Sequence, residues 1–170
     1  TARIETLVND LLLFSREESY RIETVDLAEV AREAARYALE GWEGTATLDE
    51  LPQARVVADR EKLLRVVVNA LKNAREAMSG PGRLDISIAA HGRWTTLTIA
   101  DTGTGIAAEA LARLFEPFFT TKTDGTGLGL AYAKKVLEGM QGSITLANRT
   151  DGPGAVLNIR LVSGRKERHG

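Results

Sequence analysis

Between Arg83 and Ala90 the apolar residues Leu84, Ile86 and Ile88 fall at every second position. Gly92 interrupts the run, and Trp94 to Ala100 returns with Leu97 and Ile99. A period of two with one apolar face predicts a β-hairpin lying on a hydrophobic core. Slipping the pair by one residue would turn every apolar side chain to water, so the stretch fixes its own register and demands a cover for one face. The returning strand ends in Asp101-Thr102-Gly103-Thr104-Gly105-Ile106, an acid at the lip of a sheet followed by two glycines.

Helices supply the cover. Leu63, Leu64, Val67, Leu71, Ala74 and Met78 recur at helical spacing behind Asp59. This predicts a helix capped by Asp59, running to Met78 and stopped by Ser79-Gly80-Pro81-Gly82. Asp26 caps an Ala-rich helix from Leu27 to Glu40, with Leu27, Val30, Ala34, Tyr37 and Ala38 inward. Ala107 to Leu114 reads as a short helix and Leu128 to Met140 as a longer one. Arg21–Val25, Thr45–Leu48, Arg55–Val57, Ser143–Ala147 and Ala155–Leu161 read as strands.

Residues 1–18 form another amphipathic helix. Ile4, Leu7, Val8, Leu11 and Leu12 make one stripe, widened by Leu13 and Phe14, with Arg3, Glu5, Asn9 and Asp10 elsewhere around it. Ser15 to Arg21 is polar and reads as a joint. The helix is therefore expected to be one strand of a helical hairpin or bundle whose partner lies upstream or on another chain, rather than an ordinary helix packed on the domain. From Ser163 the chain is expected to be a disordered tail, with Arg165-Lys166-Glu167-Arg168 as a solvated run. The organisation expected is 1–20, 21–162 and 163–170, in an α+β fold.

Composition narrows the function. At 170 residues, 44% hydrophobic and 26% charged, the chain can bury a real core. Twenty-two basic against 23 acidic residues leave a net charge of −1, so nothing global points to nucleic acid or an anionic membrane. There are no cysteines, which excludes disulfides, thiolate catalysis and cysteine-based zinc sites. No apolar run reaches the roughly 20 residues that span a bilayer, and no signal peptide is expected in this stretch. A first residue of Thr1 suggests a piece of a longer protein.

Four local features carry chemistry. Thr120-Thr121-Lys122-Thr123-Asp124-Gly125-Thr126-Gly127-Leu128-Gly129-Leu130 runs alternate glycines into a helix start, where free N–H groups and the helix dipole suit a phosphate. Taken alone, the favoured reading is a flexible surface loop. Asn69 and Asn73 stack one turn apart beside an apolar helix face, where asparagine costs stability unless it binds something. An amide oxygen is a suitable hard ligand for Mg²⁺. The carboxylate of Asp101 accepts hydrogen bonds only, so its natural nucleotide partner is the adenine amino group. Phe115-Glu116-Pro117-Phe118-Phe119 is suited to anchoring a mobile lid that begins at Thr120.

In this order and spacing, the paired asparagines, Asp-x-Gly-x-Gly, Phe-Glu-Pro-Phe-Phe and Gly-Thr-Gly-Leu-Gly-Leu resemble the catalytic ATP-binding domain of bacterial sensor histidine kinases. That domain belongs to the GHKL superfamily with gyrase and the heat-shock chaperone ATPases. The resemblance covers residues 22 to 162. Phe115 to Lys122 is most similar to kinases of nitrogen-regulation type, and Leu11-Leu12-Leu13-Phe14-Ser15-Arg16 resembles the end of the second helix of the kinase dimerisation hairpin. The fold so implied is a two-layer α/β sandwich, a mixed sheet covered on one face by helices and preceded by an N-terminal helix.

The resemblance also implies roles. Asn73 would hold Mg²⁺ and Asn69 would stand beside it at the phosphate end, with Lys72 in the same motif and Arg75 less defined. Asp101 would read adenine in a pocket shaped by Gly103, Gly105 and Ile106. Phe115 and Phe119 would fix the lid. Thr121 and Lys122 would lie at the phosphates, with Lys122 reaching the terminal ones, and Gly125, Thr126, Gly127, Leu128, Gly129 and Leu130 would wrap the triphosphate. The cofactors implied are ATP and Mg²⁺. The superfamily's hydrolases carry a glutamate where Asn69 stands, as base for water; an amide cannot take that proton, which favours a kinase. Glu76 departs from the basic residue many kinases of this group carry, though Glu76-Ala77 suits the nitrogen-type subgroup. Ala155 stands where a threonine is frequent.

A histidine kinase needs an acceptor histidine. His91 sits at the hairpin turn and His169 in the tail, so both read as surface residues and the acceptor is expected upstream of Thr1. Autophosphorylation is therefore not expected. The partners implied are a cognate response regulator and the protein's own dimerisation domain, as a homodimer at full length; no nucleic acid is expected, and membrane attachment only through other regions. The domain is expected in the cytoplasm. The rival readings are a GHKL ATPase, a nucleotide-dependent interaction module, and a serine kinase of anti-sigma type.

Overall fold

In the computed structural model, residues 2–16, 18–121 and 127–164 are described. Twelve elements follow in order among them: α1 (Ala2–Ser15), β1 (Glu23–Asp26), α2 (Leu27–Ala38), β2 (Thr45–Thr47), β3 (Arg55–Ala58), α3 (Arg60–Ala77), β4 (Arg83–His91), β5 (Trp94–Asp101), α4 (Ala108–Leu111), α5 (Gly129–Gly139), β6 (Ser143–Asn148) and β7 (Ala155–Val162).

The alternation that opens the argument becomes the centre of a five-stranded mixed sheet, ordered β2-β4-β5-β7-β6. Only β2 runs parallel to its neighbour. The hairpin register pairs Ile86 with Ile99 and Ile88 with Leu97, so the apolar sets of both strands share a face. That face and helices α2, α3 and α5 enclose one core, in which Leu27, Leu63, Leu71, Leu84, Leu97, Leu137 and Ile159 are buried. The helices cover one face, as expected, and β1 and β3 add a separate antiparallel ladder.

Both aspartate caps form. Asp26 Oδ1 accepts from Ala28 N and also from Ala54 N, joining α2 to the approach to β3. Asp59 Oδ1 accepts from Lys62 N at 3.2 Å while Oδ2 accepts from Arg21 N at 2.9 Å, so one buried acid caps α3 and pins the incoming chain. Each cap satisfies N–H groups that a helix start leaves open.

Several expectations shift. Tyr37 faces solvent, because the buried stripe of α2 centres on its alanines Ala28, Ala31, Ala34 and Ala35. In α3, Val66 and Ala70 join the core while Leu64 is only partly buried. The short helix reduces to Ala108–Leu111, for it has no side-chain cap and its chain continues in turns to Phe115. Ser163 and Gly164 are no free tail. Ser163 bridges Val56 and donates from N to Arg93 O, and Gly164 N donates to Arg55 O. Those bonds satisfy backbone groups left at the end of β7 and tie the two sheets together. The rest of the expected tail, with His169, lies outside the described residues.

On α1, Leu13 and Phe14 pack against the core, whereas Ile4, Leu7, Val8, Leu11 and Leu12 are exposed. The joint after it is held closely. Lys135 Nζ donates to Phe14 O and to Arg16 O, Glu18 pairs with Lys62 at 2.7 Å, and Tyr20 lies under the Lys62 ammonium. Among the described residues no helix is long and apolar enough to cross a membrane.

Candidate functional site: a cleft beside Asp101 and an asparagine-lined cavity

The first part of the site is built on the end of β5. Asp101 is an inward position of that strand and is buried. Its Oδ1 accepts from Gly103 N at 2.9 Å and from Ala155 N at 3.1 Å, so the turn after β5 and the start of β7 hold the same oxygen. No described residue bonds Oδ2, and every fully buried side-chain oxygen among them has a partner, so Oδ2 keeps some exposure and an acceptor position not used within the described chain. Gly154, with φ +123°, lies against the Asp101 carbonyl, where a Cβ would overlap the oxygen. Only glycine satisfies both the angle and the approach.

Beside the acid lies a cleft of about 310 Å³ lined by Gly105, Ile106, Asn148, Arg149, Pro153 and Gly154 among others. Two residues that sequence reasoning missed shape it. Asn148 clamps Ile106 through both amide atoms, accepting from its N at 2.7 Å and donating to its O at 2.8 Å. Arg149 donates to the Asp101 carbonyl at 3.2 Å and pairs with Asp151 at 3.1 Å. The hydrogen bond and charge of Asp151 hold the Arg149 guanidinium above its ordinary value, and Arg149 holds the Asp151 carboxyl below its own. Asn148-Arg149 follows a strand with no motif around it, and only the fold brings it to Ile106 and Asp101.

A second cavity, of about 200 Å³, lies between α1, α3 and α5. Asn69 and Lys72 of α3 line it, with Leu128 and Gly129 at the start of α5 and Asp10 and Leu13 of α1. A Cβ at Gly129 would stand 2.5 Å from Asn69 Nδ2, so glycine lets the helix start meet the amide. Leu128, the N-cap of α5, has an apolar side chain and makes no side-chain cap there. Asn73 lies one turn beyond Asn69, half-buried on the same side of α3. Arg75 is turned elsewhere: it donates to Ala38 O and Glu40 O and closes the end of α2. Among the described residues no three or more His, Cys, Asp or Glu cluster as for a metal.

The aromatic segment divides its labour. Phe115 packs against the core, and Arg113 covers the Phe119 ring at 4.6 Å. Phe118 is exposed and sits at φ +69°, with its N donating to Gly127 O at 3.0 Å. Gly127, at φ +75°, lies so close to Phe118 that a Cβ would overlap its backbone. This pair closes the base of the segment between them. Thr121 and Leu130 stand at either side of it, exposed and half-buried. Lys122, Gly125 and Thr126 lie outside the described residues.

The chain is similar to known kinases. Residues 58–164 match the family model "Histidine kinase-, DNA gyrase B-, and HSP90-like ATPase". The nitrogen regulation protein NtrY of Azorhizobium caulinodans is 32% identical over 166 residues, covering 93% of this chain and 22% of that protein. The chain thus spans about a fifth of the length of the first curated relatives it matches, with 22% and 18% covered. Among solved structures, full-length ShkA in complex with AMPPNP matches with a TM-score of 0.79 at 27% identity, over 96% of this chain and 36% of that one. Histidine kinase ThkA in complex with the response regulator TrrA matches equally, at a TM-score of 0.79 and 27% identity over 98% of this chain and 49% of that one. Sequence, fold and the order of the motifs agree, and the chain belongs to the histidine kinase-, DNA gyrase B- and HSP90-like ATPase family, as a catalytic domain of sensor histidine kinase type.

Proposed function

We propose that this chain binds Mg·ATP and presents the γ-phosphate to a histidine outside the chain, from which a response regulator takes it. The observation that carries the reading is Asp101. Two backbone N–H groups fix one of its oxygens at the end of β5, next to the cleft-lining Gly154, and leave the other without a bond from any described residue. A fixed carboxylate acceptor selects a ring bearing an amino group, which adenine has and guanine lacks at the corresponding edge.

Gly103, Gly105 and Ile106 form the wall on which the ring lies. The triphosphate runs from there toward Asn69, Lys72, Leu128 and Gly129, with the positive end of the α5 dipole facing its charge. Lys122, Thr121, Gly125, Thr126, Gly127 and Leu130 would complete the wrapping, beside the contact between Phe118 and Gly127 and the Phe115 and Phe119 rings.

The donor set suits Mg²⁺ held mainly by phosphate and water. With no acidic cluster among the described residues, Asn73 offers one hard amide oxygen, Asn69 stands beside it, and the ion would neutralise phosphate charge. Asn69 cannot serve as a base toward water, which reserves the γ-phosphate for another nucleophile. Support for the partner comes from ThkA, whose solved structure is a complex with a response regulator. The exposed stripe of α1 suits the second helix of a dimerisation hairpin in a cytoplasmic homodimer, with 1–20 as that element and 21–162 as the catalytic domain.

The test is incubation with γ-labelled ATP. This chain should stay unlabelled while a separate histidine-bearing hairpin from the same protein takes up label. Label on His91 or His169, or steady phosphate release by the chain alone, would overturn the assignment.

A further inference from the structure

We propose that the end of the sheet remote from the nucleotide cleft is a docking surface for a carboxylate-bearing segment of a partner protein, read by Arg93, Trp94 and Arg160. The two ends of β5 are set apart by seven residues, roughly 23 Å at strand rise, so this surface is separate from Asp101.

Two arginines converge on one indole there. Arg160 Cζ lies 4.3 Å from the Trp94 ring centroid and Arg93 Cζ lies 5.2 Å from it. The backbone sets up this meeting. Gly92, at φ +60°, makes the two-residue turn that pairs His91 with Trp94 and places Arg93 next to the ring. On the other side β7 pairs Arg160 with Thr96 and Val162 with Trp94, so Arg160 and Trp94 point to the same outer face two residues apart. Ser163 holds the corner by donating to the Arg93 carbonyl and bonding Thr95 Oγ1 at 2.8 Å.

Charge along the outer face is segregated. Near the cleft, Arg83 and Arg149 are both engaged by Asp85. At the far end neither Arg93 nor Arg160 has an ion pair with any described residue, and both are exposed. The small outward neighbours Ala89 and Thr96 leave the guanidinium groups standing clear. A guanidinium stacked on an indole keeps its in-plane N–H donors and loses conformational freedom in advance, which favours bidentate capture of a planar anion. The patch is small on a chain of net charge −1, which favours a few side-chain carboxylates over an extended phosphate backbone, whose binding draws on many basic contacts.

The test is a titration of the ¹⁵N-labelled chain with a glutamate-rich hexapeptide in low salt, followed by two-dimensional NMR. Amide shifts should gather at Arg93, Trp94, Thr96 and Arg160, with the Trp94 indole N–H moving and that of Trp42 still. Arg93→Gln with Arg160→Gln should weaken binding at least about tenfold, and Arg160→Lys severalfold, because lysine keeps the charge but loses the fork. Unaltered hairpin shifts in the lysine variant verify the fold, and ATP affinity should stay the same in both variants. Peptide shifts elsewhere, or an affinity indifferent to these substitutions, would overturn the proposal. So would tripolyphosphate or duplex DNA binding these residues more tightly than the peptide, which would make the surface a phosphate reader.

Discussion

Replacing Asp101 by asparagine separates its structural work from its proposed recognition. The residue is 5% exposed, and its Oδ1 accepts two backbone bonds, from Gly103 and Ala155. The asparagine carbonyl can keep both, as neutral rather than charge-assisted bonds. That loses about 1 kcal/mol per bond, partly offset because no charge is then buried, leaving a net cost of about 1 kcal/mol. For a domain of this size, the melting temperature should fall by about 2–4 °C.

At the ligand the change is larger. The free acceptor Oδ2 becomes an NH₂ donor, aimed where adenine presents a donor of its own. Losing a charge-assisted bond and opposing two donors should cost about 2–3 kcal/mol, or about 30- to 150-fold in Kd for ATP. Guanine offers an oxygen at that edge and should lose far less, so the ATP-over-GTP preference should collapse. Asp101→Ala leaves both N–H groups unpaired and should cost about 2–5 kcal/mol of stability instead. Isothermal titration with ATP and GTP analogues, beside thermal melts of the same samples, measures both effects. A variant that melts within a few degrees of the native chain and keeps its purine preference would refute the role of Asp101.

Other outcomes follow from named contacts. Asn148→Ala removes the two bonds that hold Ile106; nucleotide affinity should fall by about 1–2 kcal/mol with a smaller loss of stability, and an unchanged Kd would sever Ile106 from the site. Gly154→Ala places a Cβ onto the Asp101 carbonyl at φ +123° and should cost about 3 kcal/mol or more in melts; a neutral result would show that the β6–β7 turn yields. Lys62 is held above its ordinary value first by its bond to Glu18, and Tyr20 above its own first by burial. Groups raised in the folded state stabilise it fully below their unfolded values, here 10.5 for Lys62 and 10.0 for Tyr20, and lose that contribution as pH rises through the folded ones. Melting temperature should therefore drop above pH 10.0 more steeply in the native chain than in Tyr20→Phe with Lys62→Met, and parallel curves would exclude the pair.

Strand alternation, helix caps and glycine turns are local, which is why they were legible. Asp26 and Asp59 announce α2 and α3 because a short acid before an apolar periodicity has one economical use, and the hairpin declares its register because only one register hides its aliphatic side chains. The same locality misled. Tyr37 lies on the margin of the α2 stripe, and only the packing of α3 against the alanines decides which margin is covered. Ser163 and Gly164 read as tail because their partners, Arg93, Val56 and Arg55, lie far away in sequence.

By itself, the sequence determined the family and the kinds of atom available: a carboxylate that can only accept, amides that cannot serve as bases, and glycines that admit a ligand. These are properties of residue types and their order. Tertiary structure decided which atom of Asp101 is spoken for, that Asn148 and Arg149 belong to the cleft, that Arg75 is spent on α2, and that Asp10 of α1 shares a cavity with Asn69 and Lys72. Each depends on a contact between segments distant in the chain. Such contacts arise from how the sheet and helices close over one core, which no local pattern encodes.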